Sequence, residues 1–280
     1  MDTDHLQVRR TRPSDWPAIE TLNQKARRTV SWLWCWGKHL TDDLFVVIEH
    51  EGTVMGSLFA WYDESPIAWV QQAALDDTLD ADTWFNLALP PVLDRLRRRE
   101  IRGLAWMDSE SWAGPHRAVH GFRRLTDVIT LAKLDRALPD VEDVEVHLRQ
   151  ASDTDIPAVV AVDRTALSPH WWYSESTMRQ RAAVSFHFSV AEVAGAVVGY
   201  AEGELHPPVA HLNRIAVHPD HQGRGIGASL LRDALRTFWR RGAERVTLNT
   251  QNDNRRSQRL YRRFGFESTG DSTTAWEMKL

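Results

Sequence analysis

His211-Leu-Asn-Arg-Ile-Ala-Val-His-Pro-Asp-His-Gln222-Gly223-Arg224-Gly225-Ile226-Gly227-Ala228-Ser-Leu-Leu231 carries more of the architecture than any other segment of the chain. It reads as a strand, a glycine-rich arm and the opening of a helix. Glycine lets the backbone turn several N–H groups toward one point, and the N-terminus of the following helix adds about half a positive charge through its macrodipole. A pyrophosphate suits such a turn. The arm Gly223-x-Gly225-x-Gly227 is too short for the dinucleotide-binding Gly-x-Gly-x-x-Gly, and its strand comes late in its domain rather than first. No Gly-Lys-Ser/Thr follows, so it is not a P-loop and nucleotide hydrolysis is disfavoured.

Downstream, Leu230, Leu231, Ala234, Leu235 and Phe238 fall on one helical face, Gly242 stops the helix, and Arg245-Val-Thr-Leu-Asn-Thr250 alternates as a strand. The same pattern occurs earlier in the chain. Gly52 within Glu49–Gly56 matches Gly195 within Glu192–Gly199, 143 residues on. Ala73-Ala74-Leu75 matches Ile215-Ala216-Val217, and Leu104 matches Val246, each 142 residues on. Gly121-Phe122 matches Gly265-Phe266 at 144, and the helix opening Ser14–Ile19 matches Thr154–Val159 at 140. Five collinear matches imply an internal duplication. One domain is expected at 5–134 and a second at 144–280, joined by the polar, proline-containing linker Asp135–Asp143. Each copy reads as strand, helices, three strands, long helix, strand, helix, strand, which predicts an α/β (α+β) fold with a central mixed sheet flanked by helices.

The 280 residues suffice for about two domains, and 42% hydrophobic with 26% charged residues excludes a disordered or low-complexity chain. With 34 Lys+Arg against 38 Asp+Glu, the net charge of −4 gives no footprint for a polyanion, so nucleic acid is not expected as a partner. The single cysteine, Cys35, supplies neither an internal disulfide nor a thiolate cluster; a reducing, cytoplasmic setting is expected. The start Met1-Asp-Thr-Asp-His lacks the basic opening of a signal peptide, and no run approaches 18 apolar residues, so neither export nor a membrane partner is expected. His206, His211, His218 and His221 make no closed ligand set, and no metal is expected.

The arm resembles the acetyl-CoA arm of the GNAT superfamily of N-acetyltransferases, whose pattern is Gln/Arg-x-x-Gly-x-Gly/Ala; Gln222, Gly225 and Gly227 match it. A second signature follows, Asn254-x-x-Ser257-x-x-Leu260-Tyr261-x-x-x-Gly265-Phe266, where the superfamily has Asn-x-x-Ala-x-x-Leu-Tyr-x-x-x-Gly-Phe. The resemblance implies a V-shaped splay between parallel strands at about 211–217 and 245–250, with acetyl-CoA entering the opening. It implies that Ile215, Ala216 and Val217 pair through their backbone with the pantetheine amides. Gln222, Gly223, Arg224, Gly225, Ile226, Gly227 and Ala228 would cradle the pyrophosphate, and Asn254 and Ser257 would hold the pantetheine arm. Arg224, Arg255 and Arg256 either reach the outer phosphates or stay solvated.

Acyl transfer to an amine needs a neutral nucleophile, a polarised thioester carbonyl and a proton for the departing thiolate. By the resemblance, Tyr261 either donates that proton or only packs against the cofactor, and a backbone N–H near Ala216 or Val217 polarises the carbonyl. His211, of an imidazole type with a pKa of about 6.5, is a candidate base, and Asn213, two residues on and expected on the same face, is a candidate substrate-binding residue. Glu202 and Glu204 are rivals, acting directly or through a water, and a structural His211 is the plain alternative. By the same resemblance, Trp171, Trp172 and Tyr173 fall in the early helical region that lines the acceptor pocket, where they either form an aromatic wall or make ordinary core or interdomain packing.

The first copy departs from this pattern. Its arm reads Asp76-Asp77-Thr-Leu-Asp80-Ala-Asp82-Thr-Trp84-Phe85, without glycine, and Arg117 stands where the second copy has Tyr261. Carboxylates there repel a pyrophosphate. This half is expected to bind no CoA and to buttress the other, a regulatory ligand site being the alternative; Trp32, Trp34 and Trp36 are expected to pack. The expected activity is transfer of acetyl from acetyl-CoA to a primary amine of a small molecule or peptide N-terminus by direct attack, in a monomer or homodimer. The alternative is a non-catalytic acyl-CoA-binding or interaction protein.

Overall fold

The computed structural model describes residues 5–25, 30–31, 36–108, 113–140 and 144–280; Trp32, Trp34, Cys35 and linker residues 141–143 lie outside them. Two compact units divide the chain, Met1–Leu125 with Thr273–Leu280, and Thr126–Ser272.

In chain order the first unit holds β1 (Leu6–Arg10), α1 (Trp16–Lys25), β2 (Val30–Ser31), β3 (Phe45–His50), β4 (Thr53–Trp61), β5 (Ile67–Leu75), α2 (Ala81–Arg98), β6 (Gly103–Asp108) and α3 (Gly114–Val119). β7 (Arg123–Lys133) carries the chain onward. The second unit continues with β8 (His147–Gln150), α4 (Ile156–Ala166), α5 (Glu175–Val184), β9 (His187–Val193), β10 (Ala196–His206) and β11 (Val209–Val217). α6 (Ile226–Arg240), β12 (Arg245–Gln251), α7 (Arg255–Arg263) and β13 (Glu267–Lys279) complete it. The architecture is mixed α/β.

The sequence copies and the compact units are not coextensive. In the first unit, strands run β1-β3-β4-β5-β6, and β6 pairs antiparallel with the end of β13, from Gly103↔Lys279 to Asp108↔Thr274. In the second, the order is β7-β12-β11-β10-β9-β8, with β12 antiparallel to β7 from Val246↔Lys133 to Gln251↔Val128. The strands that end the sequence copies, β7 and β13, each divide between the units: β7 from Thr126 on covers the β12 edge and β13 from Thr273 on covers the β6 edge, either of which would otherwise expose unpaired N–H and C=O groups.

The helical pattern of the second copy explains its core. Leu230, Leu231, Ala234, Leu235 and Phe238 of α6 are buried with Tyr261 and Phe264 of α7 against Ala210, Leu212, Val246 and Leu248. Each large apolar side chain buried this way contributes roughly 1.5–3 kcal/mol. The opposite face of the sheet carries α4 and α5, packing Ile156, Val159 and Met178 against Val190, Tyr200 and Ala216.

The match between the copies extends to ion pairs built on a buried aspartate. Arg149 pairs with Asp155 and Glu192, each at 2.6 Å, and Asp155 takes the Ser152 amide at 2.7 Å. Arg9 pairs with Asp15 at 2.7 Å and Glu49 at 2.5 Å, and Asp15 takes the Arg12 amide at 2.7 Å. These carboxylate–guanidinium triads fix the strand that opens each copy to its first helix. Hydrogen bonds from Arg149 outweigh burial and hold Asp155 well below the ordinary carboxylate range.

Candidate active site

β11 and β12 pair in parallel over four residues, from Val209↔Arg245 to Leu212↔Leu248. Beyond that point they part, although β11 runs on to Val217 and β12 to Gln251. A bulge accounts for the parting: opposite Glu202 and Gly203 of β10 the partners are Arg214 and Leu212, so Asn213 is the extra residue that bends β11. Gly203 is required there, because a Cβ would sit 2.6 Å from His211 O and 2.8 Å from Phe238 Cζ.

The separated part of β11 keeps its other neighbour, with Ile215, Ala216 and Val217 opposite Ala201, Tyr200 and Gly199 of β10. His218 N donates to Val198 O at 2.8 Å. By antiparallel alternation, the backbone groups of Ala216 also point to β10, while those of Ile215 and Val217 point into the opening. Val217 O already faces that way, accepting Gln222 Nε2 at 2.8 Å.

The arm then turns on two left-handed glycines, Gly223 (φ +81°) and Gly225 (φ +82°). Gly225 is the N-cap of α6 and supplies no side-chain cap. The first helical carbonyl taken is Gly225 O, by the Ser229 amide at 3.0 Å, which leaves the amides of Ile226, Gly227 and Ala228 ahead of it as the open donors of the helix. A Cβ on Gly225 would lie 2.7 Å from Val144 Cγ1.

On the far side of the opening, Asn254 caps α7 by accepting the Ser257 amide at 3.2 Å. Tyr261 is buried, its ring 5.9 Å from that of Phe266. Burial pushes its phenol up to about 12, against the Ser257 hydroxyl. It therefore keeps its proton throughout the neutral range.

The α4/α5 face gathers the remaining polar residues. His211 Nδ1 lies 2.8 Å from Thr247 Oγ1, at the foot of the splay. Burial pulls His211 below its ordinary value; Glu204 and Glu202 act the other way, and Arg181 adds to the lowering. Glu202 is fully buried and accepts from Arg181 Nε at 3.0 Å, Ser185 Oγ at 2.5 Å and Asn213 Nδ2 at 3.0 Å. Glu204 shares Asn213 Nδ2 at 3.1 Å and Arg181 Nη2 at 3.3 Å, but its side chain retains 36% exposure. The two carboxylates therefore differ: Glu202 is saturated by donors and Glu204 faces solvent.

The aromatic segment reaches the same place through arginines that sequence reasoning passed over. Two guanidiniums lie over the Tyr173 ring, with Arg214 Cζ 3.6 Å and Arg181 Cζ 5.5 Å from its centroid. Trp171 O accepts Arg214 Nη1 at 2.6 Å, whereas the Trp172 indole donates locally to Leu167 O at 2.9 Å. The structure thus brings together Tyr173, Glu202, Glu204, Asn213 and Arg181. The available sequence signal for Arg214 was its place beside Asn213 on the strand of the arm.

The first copy's counterpart is filled. β5 and β6 pair over Ile67↔Gly103 to Trp69↔Ala105, and farther along β5 the edge is taken by β2, with Val30↔Ala73 and Ser31↔Gln72. Ala73 is the match of Ile215. Asp80 caps α2 through Thr83 N at 2.8 Å, placing a carboxylate where the second copy has open amides. Arg117 is buried, 4.8 Å from the Trp276 ring centroid and 5.8 Å from that of Trp106.

Residues 155–266 match the family model described as Acetyltransferase (GNAT) family. The chain is 33% identical over 150 residues to the N-alpha-acetyltransferase RimI of Mycobacterium tuberculosis, a match covering 52% of this chain and 82% of that protein. The chain belongs to the GNAT family of acetyltransferases. It is also 34% identical over 131 residues to the mycothiol acetyltransferase of Saccharomonospora viridis, covering 41% of this GNAT chain and only 43% of that protein. Among solved structures, a GCN5-related N-acetyltransferase from Sphaerobacter thermophilus superposes with a TM-score of 0.64 at 19% identity, covering 99% of this chain and 96% of that one. A tandem GNAT protein from the clavulanic acid biosynthesis pathway gives 0.61 at 17% identity, covering 98% of each. These two likenesses show the fold. No described helix of this GNAT chain is long and apolar enough to cross a membrane, and the described residues hold no group of three or more His, Cys, Asp or Glu suited to a metal.

Proposed function

We propose that the second copy transfers acetyl from acetyl-CoA to a primary amine, on a small molecule or a peptide N-terminus, by direct attack and without a covalent enzyme intermediate. The observation that carries this reading is the parting of β11 and β12 beside a glycine arm with open amides: a polar slot backed by a helix N-terminus. Its fit to CoA rests on that chemistry. Ile226, Gly227 and Ala228 offer N–H groups to a pyrophosphate, and Gly225 has no room for a side chain. Ile215 and Val217 offer backbone groups to the pantetheine amides, and Asn254 and Ser257 flank the arm from α7. Bound acetyl-CoA supplies an acyl group activated as a thioester.

The chain's residues then divide the proton work. His211 takes a proton at Nε2 from the acceptor ammonium, leaving a neutral amine. The Val217 N–H, directed into the opening, donates to the thioester carbonyl; alternation selects it over Ala216. Tyr261 holds its phenolic proton at Oη for the thiolate, which its raised pKa permits at neutral pH, and is reprotonated by the second N–H proton, which the acylated nitrogen sheds, so that the one net proton released is the one His211 passes to solvent. Glu202 orients Arg181 and Asn213, and Glu204 meets the acceptor's positive charge at the solvent side. The first copy, with β2 on the matching edge and carboxylates at the helix start, binds no CoA. The relatives named for RimI and mycothiol acetylation support an amine acceptor and leave peptide and small-molecule acceptors both in the class.

Thiol release from acetyl-CoA, measured against a panel of small amines and a hexapeptide with a free N-terminal alanine, tests this reading. Release with at least one acceptor is expected. CoA binding without turnover on any of them would favour the non-catalytic binder.

A further inference from the structure

Between α4 and α5, the segment Pro169–Tyr173 is tied to the rest of its unit through a buried charge pair. Asp163 is fully buried; its Oδ1 accepts Arg214 Nη1 at 2.7 Å and the Tyr200 hydroxyl, and its Oδ2 accepts the Tyr173 amide at 3.2 Å. Arg214 in turn donates to Trp171 O at 2.6 Å, and its Cζ lies over the Tyr173 ring, 3.6 Å from the centroid. One guanidinium therefore grips the segment by a carbonyl and by a ring face, while its counter-ion grips the next amide.

The first copy keeps the same three positions in neutral form. Asn23, Ser57 and Gln72 stand 140, 143 and 142 residues before Asp163, Tyr200 and Arg214. Gln72 Nε2 donates to Asn23 Oδ1 at 3.0 Å and to Ser57 Oγ at 2.7 Å. An amide suffices to join that helix to those strands. The charged version occurs in the copy that carries the glycine arm, and what arginine adds over glutamine is reach and a planar cation for an aromatic face.

We infer that Arg214, held by Asp163, is a positioning residue that locks the Pro169–Tyr173 segment as one wall of the acceptor pocket and so sets acceptor affinity without touching the cofactor. The inference rests on the activity proposed above for its kinetic arm only. Removing one partner would strand a buried charge, so the informative variant is the double change Asp163→Asn with Arg214→Gln, which installs the first copy's own pair. Arg214→Lys, which keeps the pair and loses the fork and the stacking, serves where the double variant does not fold.

Hydrogen exchange on the full chain without ligand reads the lock directly. In either variant the amides of 170–174 should lose protection by about tenfold or more while those of Val159–Val162 and β10 hold theirs. With the alanine hexapeptide, the acceptor KM should rise about tenfold, with the acetyl-CoA KM within about twofold. Unchanged protection in 170–174, or both KM values rising together, would overturn the lock. A native protein that turns over no acceptor removes the activity reading, and the exchange result still decides the lock.

Discussion

His211 Nδ1 lies 2.8 Å from Thr247 Oγ1, and that same hydroxyl lies 3.2 Å from Ala210 O. The carbonyl only accepts and the hydroxyl has a single proton. All three atoms are satisfied when Nδ1–H donates to Oγ1 and Oγ1–H donates to Ala210 O, which leaves the lone pair on Nε2. Strand pairing thus chooses the tautomer a base needs. Because burial lowers the His211 pKa, its neutral form persists to lower pH than an ordinary imidazole. The acid limb of kcat/KM should fall below about pH 6.5, and His211→Gln should remove that limb. The native state also resists protonating His211, so this group's effect on stability is absent above about pH 6.5 and becomes destabilising as pH falls toward the lowered value. A limb at or above 6.5, or one unchanged in the variant, speaks against His211 as base.

Tyr261→Phe removes the hydroxyl proposed to protonate the thiolate, together with its Ser257 partner, and leaves the ring in its packing against Phe266. Turnover should drop by about 100-fold with CoA affinity within about twofold. Native activity should show no basic limb from this phenol below about pH 10, since burial raises it to about 12. Equal losses in turnover and CoA affinity would assign Tyr261 to packing alone.

Gly225→Ala forces a side chain into a left-handed residue and against Val144. The backbone term costs roughly 1–2 kcal/mol, so the melting temperature should fall and CoA should bind more weakly. Pairing it with Val144→Ala should restore part of the stability, read by thermal unfolding, because only the steric share is relieved.

Much of this was legible in the residues because each feature had local chemistry. The periodicity of Leu230 to Phe238 and the Gly turns of the arm dictate α6 and its open amides without help from distant chain. The paired offsets made the likeness of the two halves visible. What the sequence could not place were contacts whose partners lie far apart along the chain. Arg181 joins Glu202, Glu204 and Tyr173 only after α5 docks on β10. Asp163 and Arg214 meet across 51 residues, and their match to Asn23 and Gln72 was visible only as unlike residues at like offsets. The last strand of each copy has residues in both compact units, and an edge strand's pattern does not say which edge it will cover. Likewise, the carboxylates of the first copy's arm were plain in the residues, while the seating of β2 along the β5 edge had no local signature.

Calorimetric titration of the full chain with CoA tests the central claim most directly, because it asks whether the slot beside β11 accepts the carrier and whether the first copy's slot is closed. One site per chain is expected, weakened in Gly225→Ala. No binding, or two sites per chain, would contradict it.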